Sequence, residues 1–203
     1  MRGKRRIGIV DDDDALRDSL GLLLRFKNYE VAEFSSGEAL LAADPAPALD
    51  CLILDLKMRG MNGLDVLDAV KARGMMMPVI VVTAFGDVSS AKRALKSGAF
   101  DFLEKPIHED QMLRAITDAL AQFDQVLAEA AEQSSLDERI ARLTGREKQI
   151  LDAVLLGRHN REIAAELNIS VRTVEVYKSR VMEKMQVTRL PELVRLFARS
   201  GQP

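Results

Sequence analysis

The 203-residue chain has a single cysteine, Cys51, no tryptophan and only 4% aromatic residues. One cysteine excludes a disulfide within the chain and makes a reducing compartment its natural setting. Cys51 opens an apolar run, so it reads as a small buried residue and not as a reactive thiol. Long apolar stretches are also missing. The basic start Met1–Arg6 is followed by only four residues, Ile7 to Val10, before Asp11 interrupts. That is too short for the apolar region of a signal peptide, and no other stretch is long enough to span a bilayer. A cytoplasmic protein with no membrane partner is the expectation. The two histidines, His108 and His159, are too isolated to form a metal-binding pair and read as loop or helix-start residues. Met75-Met-Met77 lacks the further soft ligands of a copper site and reads as a loop packing on an edge.

What is present indicates folded, helix-rich domains: 47% apolar and 30% charged residues, without repeats or low-complexity tracts. The length exceeds a typical single-domain core of roughly 100 to 150 residues, so two modest domains are expected. The net charge of −2 conceals an asymmetry. From Ile140 onward there are 12 Lys and Arg against 7 Asp and Glu, whereas the preceding residues carry 17 against 24. A basic C-terminal segment suits nucleic acid.

Residues 1–123 alternate short β-branched runs with segments of helical period, the pattern of a parallel sheet covered by helices. The predicted strands are 6–10, 30–33, 51–54, 79–82 and 100–103, giving five βα units. Ala-, Glu- and Gln-rich residues 124–141 read as a helical linker, with a junction near Ser134-Ser135. Residues 142–203 form a second, all-α domain of four short helices. Its first helix opens at Thr144-Gly-Arg-Glu147, a capping box.

In such a sheet the chemistry gathers at the carboxyl ends of the strands. Strand one runs into Asp11-Asp12-Asp13-Asp14, strand three into Asp55, strand four into Thr83 and strand five into Glu104-Lys105-Pro106. Asp13 and Asp14 read as helix-capping residues. Converging carboxylates repel one another unless a hard cation such as Mg²⁺ sits among them, and Asp11, Asp12 and Asp55 could supply that cage. A bound cation would leave Asp55 free to attack a phosphoryl group. Lys105 could then pair with the phosphoaspartate, and Thr83 could hydrogen-bond to it.

Asp11-Asp12, Asp55, Thr83 and Lys105-Pro106, in this order and at these intervals, resemble a response-regulator receiver domain over residues 5–121. The resemblance implies a CheY-like, doubly wound fold and a phosphoacceptor at Asp55. It also implies Mg²⁺ held by Asp12, Asp55 and the backbone carbonyl of Lys57, with Asp11 acting largely through water. Thr83 and Phe102 would be switch residues, and Lys105-Pro106 a cis peptide. One departure is Arg59, where proline is usual, which makes the loop after strand three less stiff.

In the C-terminal domain, residues 161–167, a tight turn at 168–170 and a longer helix over 171–185 have helix-turn-helix form. On the longer helix Val174, Tyr177, Val181 and Met185 should face the core. Thr173, Glu175 and Val176 are candidates for base contacts. Asn160, Arg161, Arg172, Lys178, Ser179 and Arg180 complete the candidate DNA-facing set, with Arg161, Arg172, Lys178 and Arg180 suited to phosphates. Leu143-Thr-Gly-Arg-Glu147, Asn160-Arg-Glu-Ile-Ala164 and Ser170 to Tyr177 resemble the LuxR-type helix-turn-helix of the NarL/FixJ family, closer to the FixJ branch. Such a regulator implies a sensor histidine kinase, double-stranded DNA and a phosphorylation-dependent homodimer as partners, with RNA polymerase a further candidate. By the same resemblance Thr83 moves toward the phosphate, Phe102 turns inward and the face around helix 88–97 self-associates.

Two rivals remain at this point. An aspartyl phosphatase would use the same nucleophile but wants an acid–base carboxylate two residues later, where Lys57 stands. A passive receiver, acting only as a dimerisation module, is the other. Neither Lys57 nor Phe85, two residues beyond Asp55 and Thr83, offers a carboxylate or amide to orient a hydrolytic water. The phosphoaspartate should therefore be long-lived. Loss of phosphate within seconds, followed by radiolabel decay in purified protein, would contradict this.

Overall fold

The computed structural model describes residues 3–43, 48–84 and 88–200. The chain divides into two compact units, Met1–Val126 and Leu127–Pro203. Among the described residues no helix is long and apolar enough to cross a membrane.

The first unit is built on strands β1 (Arg6–Val10), β2 (Glu30–Phe34), β3 (Cys51–Asp55), β4 (Val79–Thr83) and β5 (Asp101–Glu104). All pairings are parallel, in the order β2-β1-β3-β4-β5. The interleaved helices are α1 (Asp14–Phe26), α2 (Gly37–Ala42), α3 (Gly63–Ala72), α4 (Val88–Lys96) and α5 (Glu109–Ala141). β3 and β4 are buried at every position, because a parallel sheet covered on both faces has no solvent side. The period of two divides their side chains between two cores. Cys51, Ile53, Ile80 and Val82 join Leu20 and Leu24 of α1 and Met112 and Ile116 of α5. Leu52, Leu54, Val79 and Val81 join Leu40 of α2, Val66 and Leu67 of α3 and Ala94 of α4. Each such Leu or Ile contributes about 2 kcal/mol through the apolar area it removes from water. Burial also pushes the Cys51 thiol up to about 12, in keeping with a packing role.

The strands end one residue later than the pattern suggested at β2 to β5, and β5 also starts one later, so Asp55 and Thr83 are the last residues of their strands. Asp13 caps α1 by accepting from the Leu16 amide, 3.1 Å away, and Asp14 lies in its first turn. Met75-Met-Met77 leads into β4, an interior strand and not an edge as expected, with Met77 buried in the core, Met75 packed against it and Met76 exposed. The junction expected at Ser134-Ser135 is not a break: α5 continues through both serines to Ala141. Ser135 Oγ accepts from the Arg139 guanidinium at 3.2 Å, an i to i+4 contact that suits the helical backbone.

The second unit contains the last turns of α5 and helices α6 (Gly145–Leu155), α7 (Asn160–Glu166), α8 (Val171–Lys184) and α9 (Leu190–Ser200). Leu136, Leu143, Ile150, Leu151, Ile163, Val174, Val181, Met185, Leu193 and Phe197 form one core. His159 is the residue before α7, and its amide donates to Glu162 Oε2 at 2.8 Å. Between α7 and α8, Asn168 takes a left-handed φ of 53°. The Asn168 amide donates to Ala165 and the Ile169 amide to Ala164, closing α7 in a Schellman arrangement. Ser170 then caps α8 by accepting from the Thr173 amide.

A buried carboxylate ties α6 to α8. Glu147, 3% exposed, receives the Thr144 amide at 2.7 Å, completing the capping box, and the Lys184 ammonium at 2.7 Å. The hydrogen bond from Lys184, then that from the Thr144 amide, lowers the Glu147 pKa to about 2 from 4.5. A depressed acid stabilises the fold above its unfolded pKa and loses that contribution as pH falls through its folded pKa. Glu147→Gln should therefore destabilise the protein at pH 7 by about 1–3 kcal/mol, the range for losing a hydrogen bond to a charged group, since Lys184 keeps 35% of its side chain exposed to water. Urea unfolding of both forms should show this gap closing between about pH 4.5 and 2.

Candidate acidic site and nucleic-acid interface

The strand order reverses between β1 and β3, and the carboxyl edge of the sheet at such a point is where these folds bind ligands. Asp11 follows β1, Asp55 ends β3, Thr83 ends β4 and Lys105 follows β5. Carboxylate oxygens of Asp11, Asp12 and Asp55 lie within 4.8 Å of one another. Asp11 and Asp55 are each 3% exposed. The Lys105 ammonium lies 2.5 Å from Asp55 Oδ2 and 3.0 Å from Asp11 Oδ2. Burial raises the Asp11 pKa, partly opposed by hydrogen bonds from the Asp13 amide and Lys105. For Lys105 burial acts downward, but its hydrogen bonds to Asp55 and Asp11 prevail and hold it above the usual lysine value. The ammonium is charged at neutral pH.

The remaining contacts fix the carboxylates. Asp55 Oδ1 accepts from the Lys57 amide at 2.9 Å, and Asp11 Oδ1 from the Asp13 amide at 2.8 Å. The Arg17 guanidinium donates to the Asp11 carbonyl at 2.7 Å. Asp12 is engaged by Arg59, whose amide lies 3.0 Å and whose Nε lies 3.4 Å from Oδ2. These bonds, led by that of the amide, lower the Asp12 pKa. The loop thus has an anchor that proline, with no N–H, could not form. Three oxygen-bearing side chains facing one ammonium leave uncompensated negative charge, and hard oxygen donors in this number suit a divalent cation such as Mg²⁺.

Thr83 is fully buried, and its hydroxyl has no hydrogen-bond partner among the described residues. Phe102 is half-buried against the core on the α2–α4 side. The Lys105–Pro106 peptide is cis, as the resemblance implied. Phe85 lies outside the described residues.

In the second unit, Val174, Val181 and Met185 are buried and Tyr177 is half-buried, so α8 turns the face anticipated from its period into the core. Arg172, Glu175, Val176, Ser179 and Arg180 are exposed on α8, and Arg161 is exposed on α7. Lys178 donates to Asn160 Oδ1 at 3.0 Å, joining two candidate DNA-facing residues on α8 and α7. The Thr173 hydroxyl lies 2.7 Å from Ser170 Oγ, so it already serves the helix start. Arg180 lies over the Tyr177 ring at 5.9 Å.

Residues 7–117 match the family model described as the response regulator receiver domain, and residues 141–197 match bacterial regulatory proteins of the luxR family. The transcriptional regulatory protein FixJ of Bradyrhizobium diazoefficiens is 39% identical over 99% of this chain and 98% of its own length. The C4-dicarboxylate transport transcriptional regulatory protein DctR of Rhodobacter capsulatus is 41% identical over 94% and 98%. The response regulator StyR has a solved structure with a TM-score of 0.85, 35% identity and coverage of 97% of this chain and 100% of that one. The chain belongs to the response regulators that join a receiver domain to a LuxR-type DNA-binding domain. It is a transcription regulator of two-component signalling.

Two features of the site lie beyond what local sequence patterns reveal. The Arg59 contact with Asp12 joins residues 47 positions apart. Gly63 adjoins Asn62, which caps α3 by accepting from the Leu64 and Asp65 amides. A Cβ on Gly63 would stand 2.3 Å from the Asp55 carbonyl oxygen and 2.7 Å from Leu56 Cα. Because both are backbone atoms, Gly63→Ala must shift the end of β3. Urea denaturation should show a loss of about 1–3 kcal/mol, the usual range for overpacking.

Proposed function

We propose that the protein is switched by transfer of a phosphoryl group from a phosphohistidine of a sensor kinase to Asp55. An Asp55 carboxylate oxygen forms the new P–O bond, the P–N bond breaks, and the histidine nitrogen leaves with its electron pair. Asp11, Asp12, Asp55 and the Lys57 backbone carbonyl would hold Mg²⁺, which neutralises charge on the transferring group. Lys105, already on Asp55, pairs with the phosphoryl oxygens as charge builds there. Thr83 donates its hydroxyl to one of them.

The observation that carries this reading is the Thr83 hydroxyl, buried and without a partner among the described residues. Leaving such a group unsatisfied costs about 1–3 kcal/mol. A phosphoryl oxygen on Asp55 would recover that free energy, so phosphorylation favours the conformation in which Thr83 reaches it. Phe102, half-buried at β5, turns further inward in that state. The face of α4 and β5 then pairs with a second copy, and the homodimer presents two α8 helices to a two-fold operator.

On DNA, Arg161, Arg172, Lys178 and Arg180 contact phosphates, with Asn160 holding Lys178. Thr173, Glu175, Val176 and Ser179 face the bases, Thr173 through its methyl group. The bound regulator acts on RNA polymerase in the cytoplasm.

Light scattering with and without beryllofluoride and Mg²⁺ tests the switch. The native mass should double while Asp55→Asn stays monomeric. An unchanged native mass would favour a passive receiver, the reading otherwise opposed by the intact charged rim.

A further inference from the structure

The loop after β3 is held at three consecutive positions. Gly60 has a φ of +82°, the Met61 amide donates to Glu38 Oε1 at 2.8 Å, and the Arg59 amide donates to Asp12 Oδ2 at 3.0 Å. The Arg59 side chain adds Nε at 3.4 Å from the same oxygen. The Arg59 side chain is 94% exposed, while the Asp12 side chain is 25% exposed. One carboxylate oxygen of the acidic cluster thus carries two donors from a single residue, and one of these belongs to a full positive charge.

A dication approaching Asp12 meets both effects. A metal bound through Oδ2 displaces an N–H donor, and bound through either oxygen it is repelled by the guanidinium. Because Arg59 is almost wholly exposed, its side chain can swing into water at modest cost. The backbone amide lacks that freedom.

We propose that Arg59 is a latch on Asp12 that competes with Mg²⁺, so that this residue sets how tightly the acidic site takes the cation. The proposal rests on reading Asp11, Asp12 and Asp55 as the cation site. Arg59 acts through Asp12 as a positioning residue. It keeps the carboxylate in place without metal and weakens the site's affinity for it.

Calorimetric titration of the full chain with MgCl₂ tests this without any phosphorylation. Arg59→Ala removes the guanidinium and keeps the amide, and should tighten Mg²⁺ binding roughly two- to fivefold, the range of an exposed charge pair. Arg59→Pro removes both donors and should tighten it further, while Arg59→Lys should stay near the native value. Raising the salt concentration should shrink the gain of the alanine variant, because its origin is an exposed charge. Native-like or weaker binding by Arg59→Ala, with its folding verified by circular dichroism, would overturn the proposal. Asp12→Asn separates the two levels. If the native protein binds Mg²⁺ and Asp12→Asn binds it equally well, the cation-site reading fails and takes the latch with it. If Asp12→Asn abolishes binding but Arg59→Ala changes nothing, the latch alone fails.

Discussion

The Lys105 ammonium between Asp11 and Asp55 is the contact on which the charge balance of the acidic cluster depends. Two nearly buried carboxylates at close range repel each other in a medium that screens poorly, so they need a positive charge between them. Only a parallel sheet in this strand order places them so. β1 and β3 are neighbours although far apart in sequence, and β5 lies beyond β4. Lys105, following β5, reaches Asp55 at the end of β3, and the strand between them ends in Thr83.

Charge balance separates this site from the buried carboxylate of the second unit. Glu147 meets Lys184 one to one, with the Thr144 amide completing its coordination. Every charge is answered there, and the cluster holds two helices together. At the sheet edge three carboxylates face one ammonium, with Arg59 resting on the outermost. Negative charge is left over, and beneath it lies a hydroxyl that no described residue satisfies. A closed cluster stabilises a fold; an open one can take up a cation and a phosphoryl group.

Much of the architecture was legible in the sequence because burial on both faces forces continuous β-branched strands, and helix starts need oxygen-bearing caps. The strand core Val79 to Val82 and the Thr144–Glu147 box follow from such local rules. The Ser134-Ser135 pair does not break α5, because serine's weak helix propensity is a small effect that the surrounding helix overrides.

The sequence by itself determined the strands to within a residue at their ends, since strand period and turn chemistry operate over a few neighbouring residues. It also determined which face of α8 is apolar, for the same reason. Tertiary structure alone decided that Arg59 rests on Asp12, 47 residues away, that Gly63 must be glycine to pass the Asp55 carbonyl, and that Lys178 meets Asn160. Those contacts depend on where separate segments converge, and neither side-chain spacing nor local propensity encodes that distance.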